Sequence, residues 1–140
     1  MSKVVLLFLL IALPMVPGSQ SDPAPSQTHF VSLIQLIATP ERYDGKVVKV
    51  AGFMHLEFEG DELFVSREDF DNRITKNGVW IVRNPNLVAH ADELKDRYVV
   101  VVGTFSTGGF GYSDLMSGLL TKITHAGPWP ARGGIQKWND

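Results

Sequence analysis

The chain of 140 residues has no cysteine. That excludes disulfides, a thiolate nucleophile, and lipid attachment at a cleavage-site cysteine. There is no Asn-x-Ser/Thr sequon and no Gly-x-Ser-x-Gly elbow, since Ser113 has Gly111 before it but Leu115 after it. No Gly-Lys-Ser/Thr closes a phosphate loop: Gly109-x-Gly111 would need a third glycine where Asp114 stands, and 105–118 holds no basic residue. Lysine and arginine are nowhere clustered. The acids are: Glu57, Glu59, Asp61, Glu62, Glu68, Asp69 and Asp71 face Arg67 alone in 57–71. Such a stretch repels phosphates.

The N-terminus is apolar. Lys3 precedes the run Val4–Val16, broken only by Pro14, and small residues follow at 17–21. This is the order of a secretory signal peptide. The run makes about 20 Å of helix, short of the ~30 Å hydrocarbon core, so a lasting transmembrane anchor is the weaker reading. A buried N-terminal helix is weaker still, because Pro-Gly-Ser-Gln-Ser-Asp-Pro-Ala-Pro-Ser reads as a linker. The expected division is a signal peptide over 1–21, a linker over 22–29, a domain over 30–126 and a loose tail over 127–140. Without Lys3, the 13 basic residues fall to 12 against 15 acidic, a net charge of −3. An exported domain lacking disulfides must rely on its core, which fits a bacterial periplasmic protein better than a eukaryotic secreted one.

Within the domain, apolar residues at 30, 33, 34 and 37, with 31 and 36 widening the face, predict a helix bounded by Pro40. Asp44-Gly45 turns into "KVVKVAGFMHLEF", whose alternation places Val48, Val50, Met54, Leu56 and Phe58 on one strand face. Gly52 interrupts that face and predicts a bulge or bend. "EGDE" reads as a tight turn into a strand at 63–66, and "REDFDNRITKNG" as a polar stretch with at most one helical turn. A third strand at 79–82, a short helix through Leu87, Val88, Ala91 and Leu94, a valine-rich strand in "RYVVVVGTFS" and a fifth in "LLTKITHAG" complete the pattern.

A helix lying between the third and fourth of five strands predicts an all-β fold with short helices: a five-stranded OB-fold-like Greek-key barrel preceded by an N-terminal helix. "ATPERYDGKVVKVAGF" resembles the Pro-Glu-x-Tyr-Asp-Gly-Lys-x-Val-x-Val-x-Gly entry of small exported bacterial OB-like (tRNA-anti-like) proteins of unassigned role, and "YVVVVGTF" is similar to their fourth strand. The resemblance covers about residues 30–125 and implies a fold rather than an activity. The acidic first hairpin, Glu-Phe-Glu-Gly-Asp-Glu, departs from the basic and aromatic surface of oligonucleotide-binding members.

Within this reading, "FSTGGFGYSDLMSG" is the loop between the fourth and fifth strands, one of two that flank the usual binding face. Phe110, Tyr112, Leu115 and Met116 form a contact patch there, or Phe110 and Leu115 fold back to cap the barrel. The candidate binding residues are Phe53, Phe64, Trp80, Phe110, Tyr112 and Met116. His29, His55, His90 and His125 show no ligand spacing, so surface or half-buried histidines are expected and no metal. The acidic hairpin reads as a solvated loop, with oxygen-only cation binding as the alternative. No catalytic residues and no cofactor are expected. The function expected is an exported binding module for a protein, peptide, glycan or small ligand. The alternative is single-stranded nucleic acid on the same face, which the aromatics allow and the charge disfavours.

Overall fold

The structure is a computed structural model that describes residues 27–58, 60–108 and 114–130. Its elements in chain order are β1 (His29–Phe30), α1 (Leu33–Ala38), a 3-10 turn (Pro40–Arg42), β2 (Val47–Glu57) and β3 (Gly60–Phe64). Then come α2 (Arg67–Asp71), a second 3-10 turn (Thr75–Asn77), β4 (Gly78–Ile81), α3 (Pro85–Ala89), α4 (Ala91–Leu94), β5 (Arg97–Ser106) and β6 (Leu119–Pro128).

The fold is mostly β, a six-stranded sheet in the order β1-β2-β3-β4-β6-β5 with a further β2–β5 pairing. β2 is long enough to serve two partners. Its first part, Val47–Met54, pairs antiparallel with β5, and its last part, Phe53–Glu57, pairs antiparallel with β3. β4 runs parallel to β6 through Trp80–Leu119 and Ile81–Leu120, so the ladder of pairings returns to β2. The sixth strand was not read from the sequence. β1 is two residues long and parallel to β2, and it precedes the helix. Two residues are too few to show a period.

The inward positions of the strands supply the core: Val48, Val50, Met54, Leu56, Leu63, Ile81, Val99, Val101, Phe105 and Leu120 are buried. α1 adds Leu33 and Leu36 and starts in a capping box, where Gln35 N–H donates to Ser32 Oγ and Ser32 N–H donates to Gln35 Oε1. Ile34, expected on the buried stripe, is instead exposed. The helix is less than two turns long and can bury only one narrow side. The single helix expected over 87–94 is two, α3 and α4, which meet at His90 and seat Leu87 and Leu94 in the core. Asn84 caps α3 by accepting from Leu87 N–H, and its amide donates to Ile123 O on β6.

Two expectations about the strands change. Gly52 holds no bulge: it stands opposite Val99 in an unbroken register. Its lack of a side chain serves close approach, because a Cβ there would lie 2.7 Å from Phe64 O and 2.8 Å from Leu63 Cγ. The irregularity sits in β6 around Lys122 (φ 47°), opposite Gly103, where the β5–β6 register shifts. The domain's pairing also runs past residue 126, since β6 continues to Pro128 and Trp129 N–H donates to Tyr98 O. The apolar run Val4–Val16 lies outside the described residues; among those described, no helix is long and apolar enough to cross a membrane.

Candidate functional site

The face of β2, β3 and β4 expected to bind is largely covered, and α2 covers it. Ser66 caps α2 by accepting from Asp69 N–H, and the short helix lays Phe70 on the sheet. Its ring centroid is 5.8 Å from that of Phe53, 5.7 Å from Phe64 and 4.2 Å from His55. Phe53 is 2% exposed and Phe64 is fully buried. Met116 is buried beside Gly78, where a Cβ would come within 2.7 Å of its Cε. Burial therefore takes Phe53, Phe64 and Met116 off the contact surface expected from the sequence. Phe110 and Tyr112 lie outside the described residues.

The described ends of the glycine-rich loop are tethered. Thr107 N–H donates to Asp44, whose carboxyl it holds below the usual value. Lys76 Nζ donates to Asp114 O, and Ser117 Oγ donates to Lys76 O.

His55 is buried, against the expectation of a surface or half-buried histidine. Nδ1 lies 2.6 Å from Asp96 Oδ1. Nε2 lies 2.7 Å from Glu57 Oε1. Asp96 reaches the ring from a left-handed conformation (φ 56°), which Asp tolerates better than most residues. The neighbouring imidazole holds Glu57 below its ordinary value. Both ring nitrogens thus face carboxylates and one ring face meets Phe70. This arrangement clamps α2 and the α4–β5 turn to β2.

What stays open lies at the other end of β3. The β3–β4 register ends at the Glu62–Trp80 pair, and a cleft of about 530 Å³ is lined by Glu57, Phe58, Gly60, Asp61, Trp80, Ile81, Val82, Arg83 and Leu119. Phe58, assigned by alternation to the inward face, is 95% exposed because β2 ends at Glu57. Trp80 is half-buried against the hairpin, and a Cβ on Gly60 would meet its ring at 3.1 Å. Trp80 is the one described candidate from the sequence that lines the opening.

The cleft's polar wall was not legible beforehand. Arg83 Nε donates to Asp61 Oδ2 at 2.7 Å, Nη2 donates to Asp61 Oδ1 at 2.6 Å, and Nη2 also donates to Glu57 O at 2.7 Å. The Asp61 side chain is 4% exposed and that of Arg83 is 42% exposed. The hairpin expected to be a solvated acidic loop therefore holds one buried carboxylate, Asp61, in a bidentate pair with the partly exposed Arg83. Among the described residues, no group of three or more His, Asp or Glu side chains is placed to hold a metal ion.

Glu62 stands between His55 and Trp80 in the sheet register, and partial burial pushes its carboxyl above the usual value. A carboxyl raised by folding opposes folding once ionised, so its penalty grows as pH rises through the folded value. Glu62→Gln is expected to raise the melting midpoint near pH 7 and to lose that advantage near pH 4, as thermal melts across that range will read. A constant offset at both pH values would show that its charge is not the cause.

No protein-family model matches the chain, and no curated protein matches it. Among solved structures it is similar to one described as an aspartyl-tRNA synthetase from Leishmania major Friedlin, with TM-score 0.44 and 12% identity. The match covers 84% of this chain and 23% of the other, so the chain spans about a quarter of that protein's length. A likeness this distant says nothing about activity or partner.

Proposed function

We propose that the chain is an OB-like, non-catalytic binding module that takes its ligand in the cleft between β3, β4 and the start of β6. The observation that carries this reading is the cleft itself: exposed Phe58, half-buried Trp80, Val82 and Leu119 surround the Asp61–Arg83 pair. A concave, mostly apolar surface with a few convergent polar groups is the usual form of a small-ligand site. The OB-like part rests on the ladder, which runs β2–β3–β4–β6–β5 and returns to β2, with α3 and α4 between β4 and β5. The reading assigns no catalytic role to His55, whose two nitrogens face the carboxylates of Asp96 and Glu57.

The test is a backbone-amide NMR titration of the isotope-labelled protein with neutral oligosaccharides, basic and acidic peptides, and oligothymidylate. Perturbations gathering on Phe58, Trp80, Val82 and Leu119 support the cleft. Perturbations gathering at Phe30, Ile34 and Trp129 overturn it.

A second reading, single-stranded nucleic acid on the same surface, is favoured by the stacking faces of Phe58 and Trp80. Charge stands against it. Glu57 and Asp61 line the cleft, and Arg83 is already engaged by Asp61. No binding of labelled single strands is expected in low salt by fluorescence anisotropy. Micromolar affinity that falls steeply with salt would promote this reading.

The proposal includes export, which rests on Lys3 and the Val4–Val16 run alone. A mature protein starting near residues 18–21 is expected by mass spectrometry of the exported fraction. A cytoplasmic product retaining Met1 would defeat it.

A further inference from the structure

We infer that the ligand of this cleft is a neutral, hydroxylated ring, a sugar unit of an uncharged glycan; the inference rests on the cleft being the binding site. Each part of the lining accepts a different chemistry. The apolar side consists of the Phe58 ring, 95% exposed, and the half-buried indole of Trp80. Aromatic faces pack favourably against the C–H face of a ring, as they do against other apolar surface.

The polar part of the lining is the Asp61–Arg83 pair. Arg83 commits Nε and Nη2 to Asp61 and to Glu57 O, while Nη1 donates to nothing among the described residues. A wholly apolar ligand would bury the Nη1 donors without a partner, which is unfavourable. A cationic ligand would bring further donors to the Arg83 side chain, 42% exposed, where Nη1 needs an acceptor. An anionic ligand would meet the Glu57 carboxylate, which His55 keeps ionised below its ordinary value. A neutral ligand that can accept from Nη1 and present a C–H face satisfies both parts of the lining. A pyranose does this: ring oxygen and hydroxyls on its edge, C–H bonds on its face.

Gly60 supplies an independent handle. A Cβ at this position would press on the Trp80 ring at 3.1 Å. Gly60→Ala should therefore tilt the indole without removing it.

The test is titration of the full chain with uncharged oligosaccharides of glucose, mannose, galactose and N-acetylglucosamine, and with uronic-acid counterparts. It is followed by tryptophan fluorescence and by NMR. The expected result is saturable binding of at least one neutral series. The charged counterpart, Trp80→Ala and Gly60→Ala should each weaken it by about tenfold or more, with melting midpoints of both variants retained as the folding control. Cleft perturbation by peptides or oligothymidylate alone would overturn the sugar assignment while leaving the cleft as the site. Sugar binding indifferent to Trp80 and mapping elsewhere would overturn both. No response to any neutral series overturns the assignment.

Discussion

Gly52→Val is expected to destabilise the domain by about 3 kcal/mol, the upper end of ordinary overpacking penalties. The reason is local and severe. The first carbon of any side chain at 52 would sit 2.7 Å from the backbone oxygen of Phe64 and 2.8 Å from Leu63 Cγ. A flexible side chain could swing away, but Phe64 O belongs to β3, which β2 and β4 hold from both sides. Relief requires moving a strand. A valine adds two γ-methyls to the same crowded space. The matched control is Gly108→Ala, because nothing lies within 4 Å of a Cβ there. It should change stability by less than about 0.5 kcal/mol. Thermal or urea melts of the two variants decide the matter. Equal midpoints would mean that β2 and β3 do not approach as closely as described.

The second large effect is expected from Arg83→Met. It removes both hydrogen bonds to Asp61 and the one to Glu57 O, and leaves a carboxylate that is 4% exposed without its counter-charge. Breaking a fully buried pair from one side costs about 3–5 kcal/mol. Arg83 is itself 42% exposed, and water can partly replace it, so about 2–3 kcal/mol is the expectation here. The diagnostic measurement is the double variant. Asp61→Asn placed on Arg83→Met removes the stranded charge and should recover a large part of the loss, a coupling that a double-mutant cycle by urea unfolding will read. Simple addition of the two single losses would show that the pair does not act as a unit.

These two positions differ in how far they could be read beforehand. Gly52 stood out because a glycine in the middle of an alternating strand weakens it and so needs a reason. The reason offered was curvature. The structure supplies close packing against β3 instead, which depends on where Leu63 and Phe64 come to lie. Arg83 drew no attention: it follows β4 in a polar run, while its partner lies 22 residues earlier in a stretch that looked uniformly solvated. An ion pair of that separation has no sequence period to reveal it.

Local chemistry by itself determined five of the six strands, with β3 at Gly60–Phe64 rather than the expected 63–66, and the turn at Gly45 (φ 73°). Alternation, capping residues and left-handed glycines act within a few residues of one another. It also determined that the first hairpin is acidic and that aromatics gather on β2, β3 and β4. Tertiary structure alone decided which of those aromatics meet solvent. Phe70, in a stretch read as polar, folds over Phe53, Phe64 and His55, while the end of β2 turns Phe58 outward. Exposure is a property of what packs on a residue from distant parts of the chain. The period of its own strand fixes only the side on which it stands.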